Sequence, residues 1–584
     1  MLIITQMDEI KNFRQFKSKC PGHPENFETD GVEATTGPLG TGIGTAVGLA
    51  AAEKHLASRF NKPDNQIVDH YTYVITGDGD CMEGCQQEAI SWAGHQGLGK
   101  LIVLYDDNNI TIDGHTDLAF SEDVLGRYAA CGWHTQHVRD GSTDISSLRS
   151  AIQAAKDETE RPSIIKMTTL IGFGSPNKAN THDVHGAPLG EDEVSATREA
   201  LGWPYGEFEV PDSAYQHMSS VKQDGQRSEQ QWNQQLEQYK SKYPEDAQEL
   251  MQFVNDELPA DWESYLPTFS SEDKPLATRH LSQAVLNALA PGLPGLVGGS
   301  ADLAPSNMTL MKMFGDMQNG TPAERNMRFG VREFGMSLIA NGLSLHKSGL
   351  VPYAATFTIF TDFMRGGMRL SALQRQGVIY VTTHDSIGLG EDGPTHQPVE
   401  QLSALRAMPG MYVMRPADGN EVSGAYKVAV NRRNGPTVMA LSRQKVPNLE
   451  NTSIDKVAYG AYSVYDTDSS AKPHVIAVAT GSEVSIALEA CQELETSGNK
   501  VRCVSFPCWE LFDKQSAEYK ESVLPSGVPK VSLEAGTTYA SDLFLCFLSH
   551  CNAHAAKSIM IYCPPLSVYS QICMEQVRQL QRGR

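Results

Sequence analysis

The chain has 584 residues, and its 48 basic and 70 acidic side chains give a formal net charge of −22. A hydrophobic fraction of 40% and a charged fraction of 20% are typical of a globular protein with three or four domains and exclude a disordered chain. The charge excludes a protein built to coat nucleic acid or an anionic membrane, and the longest apolar run, Leu543–Leu548, is too short to span a bilayer.

The first 200 residues alternate strand patterns with Gly-rich turns and helical patterns. Tyr71–Thr76, Leu101–Tyr105 and Ser163–Leu170 are rich in β-branched residues and predict buried strands. The Ala-rich stretch Thr41–Phe60 predicts a helix that opens after the loop GPLG. Alternation of this kind predicts a parallel sheet covered by helices.

The next residues, 205–275, are polar, rich in Gln and Glu and helical in pattern, which indicates a surface helical linker. Beyond them, Val378–Thr383 and Pro436–Ser442 predict the strands of a second α/β block. A third block contains the clearest βαβ pattern, with strands at His474–Gly481 and Val501–Phe506. The predicted domains are 1–245, 246–450 and 451–584.

Two polar turns follow neighbouring predicted strands. Gly77-Asp78-Gly79 comes after the first strand, and Asp107-Asn108-Asn109-Ile110 comes after the second. Ligands bind at the carboxyl ends of the strands in open α/β sheets, and Asp, Asn and carbonyl oxygens suit Mg²⁺ or Ca²⁺. Either turn alone is explained as well by a tight turn chosen for positive φ and Asx bonding.

Taken together, the two turns resemble the thiamine diphosphate fingerprint, and a wider resemblance to transketolases runs from about Met7 to about Gly536. The matching stretches, in the family's order, are GHPE (Gly22–Glu25), TTGPLGTG (Thr35–Gly42), VITGDGDCMEG (Val74–Gly84), YDDNNITIDG (Tyr105–Gly114), IGFGSPNKANTHDVHGAPLG (Ile171–Gly190), GGSADLAPSN (Gly298–Asn307), GVREFGM (Gly330–Met336), THDSIGLGEDGPTHQPVEQ (Thr383–Gln401) and LSRQ (Leu441–Gln444). The resemblance implies an α/β fold of three domains, two of them thiamine diphosphate-binding parallel-sheet domains and the third a C-terminal α/β domain.

The resemblance also implies a cofactor site. A divalent metal, Mg²⁺ or Ca²⁺, would be held by Asp78, Asn108 and the carbonyl of Ile110. The glycines of GPLG permit close backbone approach, and the N-terminus of a helix favours an anionic diphosphate. The residues implied around thiamine diphosphate are Gly37, Pro38, Leu39, Gly77, Asp78, Glu83, Asn108, His185, Asp302, Glu333, Phe357, Phe360 and Phe363.

Glu333 would carry the activation step. In this family a glutamate hydrogen-bonds the N1′ nitrogen of the aminopyrimidine ring, which requires a carboxyl group that shares a proton near neutral pH and is therefore buried. Glu83 matches a glutamate that links the two active sites of a homodimer. The three phenylalanines, which the resemblance stacks on the aminopyrimidine, recur at i, i+3 and i+6, a spacing that also predicts a helix core stripe.

The implied reaction moves a two-carbon ketol unit from a ketose phosphate to an aldose phosphate, in the pentose phosphate pathway or Calvin cycle. His23, His185 and His396 match histidines that move protons at the reacting end. Asp392 matches a carboxylate that recognises a substrate hydroxyl. The matching phosphate-binding residues are Arg279, Ser306, His384 and Arg443. The expected location is cytoplasmic, or the plastid stroma in a photosynthetic eukaryote.

Two segments depart from the family pattern. Two histidine motifs that transketolases carry upstream of the first match are not found, which predicts a family member without its first segment. After Gly536 the sequence is atypical and holds four of the eleven cysteines. Alternatives are a related thiamine diphosphate enzyme, such as dihydroxyacetone synthase or 1-deoxyxylulose-5-phosphate synthase, or an inactive homologue that acts as an assembly partner. The phosphate residues and Asp392 favour transketolase over the 1-deoxyxylulose-5-phosphate synthase. The missing histidine motifs favour the inactive homologue, whereas Glu333 and the two polar turns oppose it.

Overall fold

A computed structural model describes residues 7–537 and the backbone of residues 556–559. Apart from Thr537 and that short strand, the atypical segment after Gly536 lies outside the described residues. The described residues fold as two compact units. The first unit takes the residues up to Glu257 together with Met317–Glu324 and Phe334–Leu350, and the second takes Leu258–Asp316, Arg325–Glu333 and those from Val351 onward.

The first unit carries its strands and helices in alternation. Its strands are β1 (Thr72–Gly77), β2 (Leu101–Asp107), β3 (Ile110–Thr111), β4 (Gly114–His115), β5 (His134–Val138) and β6 (Ser163–Thr168). Its helices are α1 (Met7–Lys11), α2 (Thr41–Phe60), α3 (Asp78–Met82), α4 (Gly84–Gln96), α5 (Val124–Ala130), α6 (Ile145–Asp157), α7 (Glu191–Ala200), α8 (Asp212–Lys242) and α9 (Pro244–Val254).

The sheet of this unit is parallel, with the strand order β1-β2-β6-β5. Its register pairs Gly77 with Asp106, so the polar turns that follow β1 and β2 leave the sheet at the same edge. Ala50, Ala51 and Ala52 of α2 are buried, which is why an Ala-rich helix suits this position. The parallel sheet predicted for this part of the chain is confirmed.

The polar stretch predicted as a helical linker forms α8 and α9. The buried residues of α8 are Leu236 and Tyr239, and most of its other residues are exposed to solvent. The hydroxyl of Tyr239 donates to the carbonyl of Phe60 at 2.6 Å, which fixes α8 to the end of α2. The buried residues of α8 therefore lie in its last turns, and α9 continues the packing by burying Ala247, Leu250 and Phe253.

The second unit contains the remaining elements, and α12 begins in it before continuing into the first unit. The strands are β7 (Leu276–Ala277), β8 (Leu296–Ser300), β9 (Val351–Phe357), β10 (Ile379–Thr383), β11 (Tyr412–Met414), β12 (Thr437–Leu441), β13 (Lys445–Val446), β14 (Tyr462–Asp466), β15 (Val475–Ala479), β16 (Val501–Ser505), β17 (Lys530–Leu533) and β18 (Ala556–Ile559). The helices are α10 (Thr278–Leu289), α11 (Ala304–Asn307), α12 (Glu333–Leu345), α13 (Thr361–Leu373), α14 (Gln401–Arg406), α15 (Gly419–Asn431), α16 (Glu483–Thr496), α17 (Trp509–Asp513) and α18 (Ala517–Val523).

Two larger sheets organise the described part of the second unit. The first is parallel, in the order β11-β12-β10-β9-β8, and the second is β14-β16-β15-β17-β18, with β14 antiparallel. Every residue of β9, β10 and β12 is buried, as expected for strands covered on both faces. Thr383 pairs with both Phe357 and Leu441, so the residues that follow β9, β10 and β12 emerge side by side.

These sheets confirm the predicted α/β class with parallel strands. The strand patterns at 378–383, 436–442, 474–481 and 501–506 correspond to β10, β12, β15 and β16. Among the helices that the structure describes, none is both long and apolar enough to cross a membrane.

Candidate active site

The two polar turns of the first unit meet at Asp78. Its Oδ1 accepts a hydrogen bond from the Tyr105 hydroxyl at 2.5 Å, and its Oδ2 accepts one from the backbone N–H of Asn109 at 2.9 Å. Asn109 has a φ of 61°, in the left-handed region that Asn tolerates better than most residues. The side-chain Oδ1 of Asn108 accepts from the N–H of Ile110 at 3.0 Å. The structure therefore brings the predicted metal residues Asp78, Asn108 and Ile110 to one place.

The charges at these turns suit a cation. Burial raises the pKa of Asp78, and the neighbouring carboxylates of Asp107 and Asp106 raise it further, although the Tyr105 and Asn109 hydrogen bonds oppose them. A divalent ion bound there would compensate the negative charge of the buried carboxylate and so offset the free-energy cost of its ionisation. In the described parts of the chain, no group of three or more His, Cys, Asp and Glu side chains could hold a metal ion. The predicted site is not of that kind, because only Asp78 would bind through a carboxylate, and Asn108 and Ile110 would bind through an amide and a carbonyl oxygen.

The GPLG loop lies against the turn after β1. The N–H of Gly40 donates to Asp80 Oδ1 at 2.7 Å, and the N–H of Gly77 donates to Asp80 Oδ2 at 2.8 Å. Gly40 has a φ of 74°, and a Cβ atom added to it would lie 2.6 Å from Cβ of Glu83, so a side chain does not fit there. Sequence reasoning missed Asp80, although it stands within VITGDGDCMEG.

Several predicted residues surround this loop. A Cβ atom added to Gly37 would contact the His23 ring at 3.5 Å, and one added to Gly79 would contact Leu39 at 3.0 Å. His23, Leu39 and Glu83 are exposed. Helix α2 begins at Thr41 without a side-chain cap, which leaves the N–H groups at its start available to an anion.

Among the residues it describes, the structure shows no hydrogen bond or ring contact between His185 and the other predicted site residues. His185 follows the short 3₁₀ turn His182–Val184 in an exposed loop, and its N–H donates to the carbonyl of His182 at 3.0 Å. The hydrogen bond that places it is therefore local, and its predicted role stays a prediction.

In the second unit, Glu333 is the first residue of α12 and is partly buried. Burial raises the pKa of its carboxyl group above the ordinary value. A carboxyl group of this kind holds a proton closer to neutral pH than an exposed glutamate does, as the predicted role requires. The cofactor residue predicted at Asp302 lies beyond the end of β8, exposed, with a φ of 60°.

The three phenylalanines form a ladder of rings rather than a helical stripe. Phe357 ends β9, Phe360 ends a 3₁₀ turn and Phe363 lies in α13. The rings of Phe357 and Phe360 stack with centroids 5.9 Å apart, and Phe363 is 66% exposed. The interpretation as a helix core stripe is wrong because the chain changes from strand to turn to helix within these seven residues. Such a ladder offers flat apolar faces to an aromatic ring.

Two histidines lie beside the ladder. The His384 ring centroid is 3.8 Å from that of Phe357, and the His396 ring meets Phe360 edge-on at 5.5 Å. Burial, followed by the charge of Arg279, lowers the pKa of His384 to about 4, so this imidazole is neutral at pH 7. Its Nδ1 lies 2.8 Å from the Thr383 hydroxyl, which itself donates to Asn307.

The predicted phosphate residues cluster around His384. Arg279 Nη1 donates to the carbonyl of Ser306 at 2.9 Å and lies 3.5 Å from His384 Nε2. Its Nε is buried and has no hydrogen-bond partner among the described residues. Burial and the charge of Arg443 lower the pKa of Arg279, whereas Asp392 opposes them. A buried donor without a partner, facing a second cation, is suited to an anion.

Arg443 follows β12 and is held by the residues that follow His384. Its Nη1 donates to the carbonyl of Leu389 at 2.9 Å, and its Nη2 pairs with the carboxylate of Glu391. The structure therefore brings Arg279, Ser306, His384 and Arg443 to one edge of the parallel sheet, with Asp392 and His396 in the adjoining loop.

Comparisons with known proteins bear on all three predicted domains. Family models described as the thiamine diphosphate binding domain of transketolase, its pyrimidine binding domain and a transketolase-like C-terminal domain match residues 4–259, 274–448 and 460–552. A chloroplastic transketolase of Solanum tuberosum is 60% identical over 541 residues, which cover 92% of this chain and 73% of that protein.

Solved structures agree. A transketolase from Leishmania mexicana superposes with a TM-score of 0.93 and 43% identity, covering 99% of this chain and 85% of that one. A transketolase of Pichia stipitis in complex with sedoheptulose 7-phosphate gives a TM-score of 0.93 and 43% identity, covering 98% of this chain and 85% of that one. This chain therefore belongs to the transketolase family, as an α/β transferase with domains that bind thiamine diphosphate.

Proposed function

We propose that this chain transfers a two-carbon ketol unit from a ketose phosphate, such as xylulose 5-phosphate, to an aldose phosphate, such as ribose 5-phosphate. The observation that carries the proposal is the phosphate cluster, in which Arg279 has a buried Nε without a partner among the described residues and is opposed by Arg443. A sugar phosphate would supply the missing acceptor and the missing negative charge. The complex of the Pichia stipitis relative with sedoheptulose 7-phosphate supports this substrate class.

Thiamine diphosphate, when bound, supplies a nucleophilic carbon that cleaves and forms carbon–carbon bonds beside a carbonyl group. The chain's residues fit its two ends. The glycines of the GPLG loop and the N-terminus of α2 would accommodate the diphosphate, and Asp78, Asn108 and the Ile110 carbonyl would hold a Mg²⁺ or Ca²⁺ ion. The phenylalanine ladder and Asp302 would line the ring end.

Proton transfer falls to this chain's side chains. Glu333 would share a proton with the ring end of the cofactor, a role that suits a carboxyl group whose pKa burial raises. His23, His185 and His396 would move protons to and from the sugar's carbonyl and hydroxyl oxygens. Asp392 would accept a hydrogen bond from a substrate hydroxyl, while Arg279, His384, Ser306 and Arg443 hold the phosphate.

We also propose a homodimer with active sites at the subunit interface, in which Glu83 links the two sites. The relatives named as chloroplastic support a location in the plastid stroma, and hence a part in the Calvin cycle as well as the pentose phosphate pathway. Sedimentation would test the dimer, and fractionation of source cells would test the location.

The test of function is a coupled assay of xylulose 5-phosphate and ribose 5-phosphate with thiamine diphosphate and Mg²⁺. We expect turnover that requires both the cofactor and the ion, with saturable cofactor binding in a calorimetric titration. Cofactor binding without transfer on any sugar phosphate would favour the inactive assembly partner. Absence of both binding and transfer would overturn the proposed function.

A further inference from the structure

The two residues that follow the phosphate residues His384 and Arg443 are both held by one turn of the C-terminal domain. Asp385 comes directly after His384 at the end of β10, and Gln444 comes directly after Arg443 beyond β12. All the predicted site residues lie between His23 and Arg443, so the C-terminal domain contributes none of them. It nevertheless contacts this site through neighbours in sequence.

Arg415 makes the first link. Its side chain is fully buried, and its Nε donates to Asp385 Oδ2 at 2.8 Å. Its Nη1 donates to the carbonyl and the hydroxyl of Thr480, at 3.0 and 2.9 Å, and also pairs with the carboxylate of Glu483. The guanidinium therefore joins the end of β10 to the residues that follow β15.

The packing around Arg415 leaves little freedom. Gly481 has a φ of 55°, its N–H donates to the Arg415 carbonyl at 3.0 Å, and a Cβ atom added to it would lie 2.8 Å from Arg415 Cγ. The other oxygen of Asp385, Oδ1, is buried and has no hydrogen-bond partner in the described part of the chain. The charge of Asp385 is therefore compensated through Arg415, and the two side chains cannot move apart without leaving a buried charge uncompensated.

Gln444 makes the second link. Its Nε2 donates to the Ser482 hydroxyl at 2.9 Å, and that hydroxyl donates to Glu483 Oε1 at 2.7 Å. A Cβ atom added to Gly388 would lie 2.7 Å from Gln444 Nε2, so this side chain also packs closely on the loop that follows His384. One turn, Thr480–Glu483, hereafter the anchoring turn, thus binds the neighbours of both phosphate residues.

We propose that the anchoring turn positions His384 and Arg443 at the distance that a substrate phosphate requires. Arg415, Gln444 and Ser482 are then positioning residues that set the preference for phosphorylated over unphosphorylated sugars. This inference rests on the proposed function. A purely structural role would instead lower activity on both classes of sugar alike, because the reacting end and the phosphate end would be disturbed together.

Two substitutions, Ser482→Ala and Gln444→Leu, each remove the Gln444–Ser482 hydrogen bond and test the proposal in the full-length holoenzyme. The readout is kcat/KM for ribose 5-phosphate and for ribose at saturating donor. We expect Gln444→Leu to lose about five-fold on ribose 5-phosphate, the effect of one hydrogen bond, and Ser482→Ala to lose at least as much, with less than two-fold loss on ribose for both. The double variant should lose no more than Ser482→Ala alone, because Gln444→Leu removes a contact that Ser482→Ala already removes together with the bond to Glu483.

Ser463→Ala is the matched control, since this half-buried serine of β14 bonds to the Tyr465 carbonyl in the same domain. Arg415→Lys keeps the charge opposite Asp385 but loses the forked geometry, and we expect the same selective loss from it. An equal loss on both aldoses, or no loss on either, would overturn the inference. Wild-type chain that turns over neither aldose would instead refute the proposed function.

Discussion

The contact between α2 and α12 within the first unit depends on two facing glycines. A Cβ atom added to Gly48 would lie 2.1 Å from the carbonyl oxygen of Ile339 and 2.8 Å from Cα of Gly342. A Cβ atom added to Gly342 would lie 2.1 Å from the carbonyl oxygen of Thr45. The two backbones therefore approach more closely than any side chain permits, and Gly48→Ala should force them apart.

The cost follows from these distances. Ordinary contact with a Cβ atom begins at 3.4 Å, so the Ile339 carbonyl would have to withdraw by more than about 1 Å. That oxygen belongs to a buried helix backbone and cannot rotate away as a side chain can. Overpacking of this kind costs about 1–3 kcal/mol, and the better helix propensity of Ala returns up to about 1 kcal/mol. We expect a net loss of about 2 kcal/mol.

The assay is differential scanning calorimetry of Gly48→Ala beside Gly225→Ala. Gly225 lies within α8 with no atom within 4 Å of an added Cβ, so Ala there should stabilise the helix by about 0.5–1 kcal/mol. We expect Tm to fall by about 3 °C in the first variant and to stay or rise in the second. If Gly48→Ala unfolds at the wild-type temperature while Gly225→Ala behaves as expected, the close backbone contact is not what stabilises this pair of helices.

Three further predictions concern charge. Glu333→Gln should lower ketol transfer by at least about 100-fold with an unchanged Tm, because an amide cannot share a proton; activity within ten-fold of wild type would contradict this. Asp78→Asn should weaken the apparent Mg²⁺ affinity by at least about ten-fold in an activity titration, whereas Asp113→Asn on an exposed turn should not. Burial lowers the pKa of His346 to about 4, so protons bind the unfolded chain preferentially below pH 6.5 and stability falls as the pH drops towards 4. His346→Gln should remove up to about 2 kcal/mol of the loss between pH 6.5 and 5, and equal Tm slopes for both proteins would refute that assignment.

The elements that could be predicted from sequence are those whose signals are local. Thr41–Phe60 is a helix over the predicted span because its Ala content and the preceding GPLG loop act within the segment itself. The turns after β1 and β2 were predictable because polar residues follow β-branched runs directly, and parallel pairing then places both turns at one edge.

What sequence could not predict depends on contacts between distant residues. The spacing of Phe357, Phe360 and Phe363 matches a helix, but the pairing of Phe357 with Thr383 draws it into β9 instead. Tyr105 gave only a strand signal, although its hydroxyl holds Asp78 across 27 positions of the chain. Arg415 joins residues on both sides of it that lie 30 or more positions away, and no local pattern marks such a role.

The net charge of −22 likewise gave no sign of two local groups of charged residues, one acidic and one basic. The turns after β1 and β2 gather Asp78, Asp106 and Asp107, and burial, followed by the charges of Asp107 and Asp106, raises the pKa of Asp78. In the cluster of predicted phosphate residues, burial, followed by the charge of Arg443, lowers the pKa of Arg279. Each arrangement costs folding free energy, and a cation bound at the turns or a sugar phosphate bound at the cluster would offset that cost in the native state. An acidic protein can therefore bind both a metal and an anion, because burial makes the local charge, and not the total, decide which ion each site accepts.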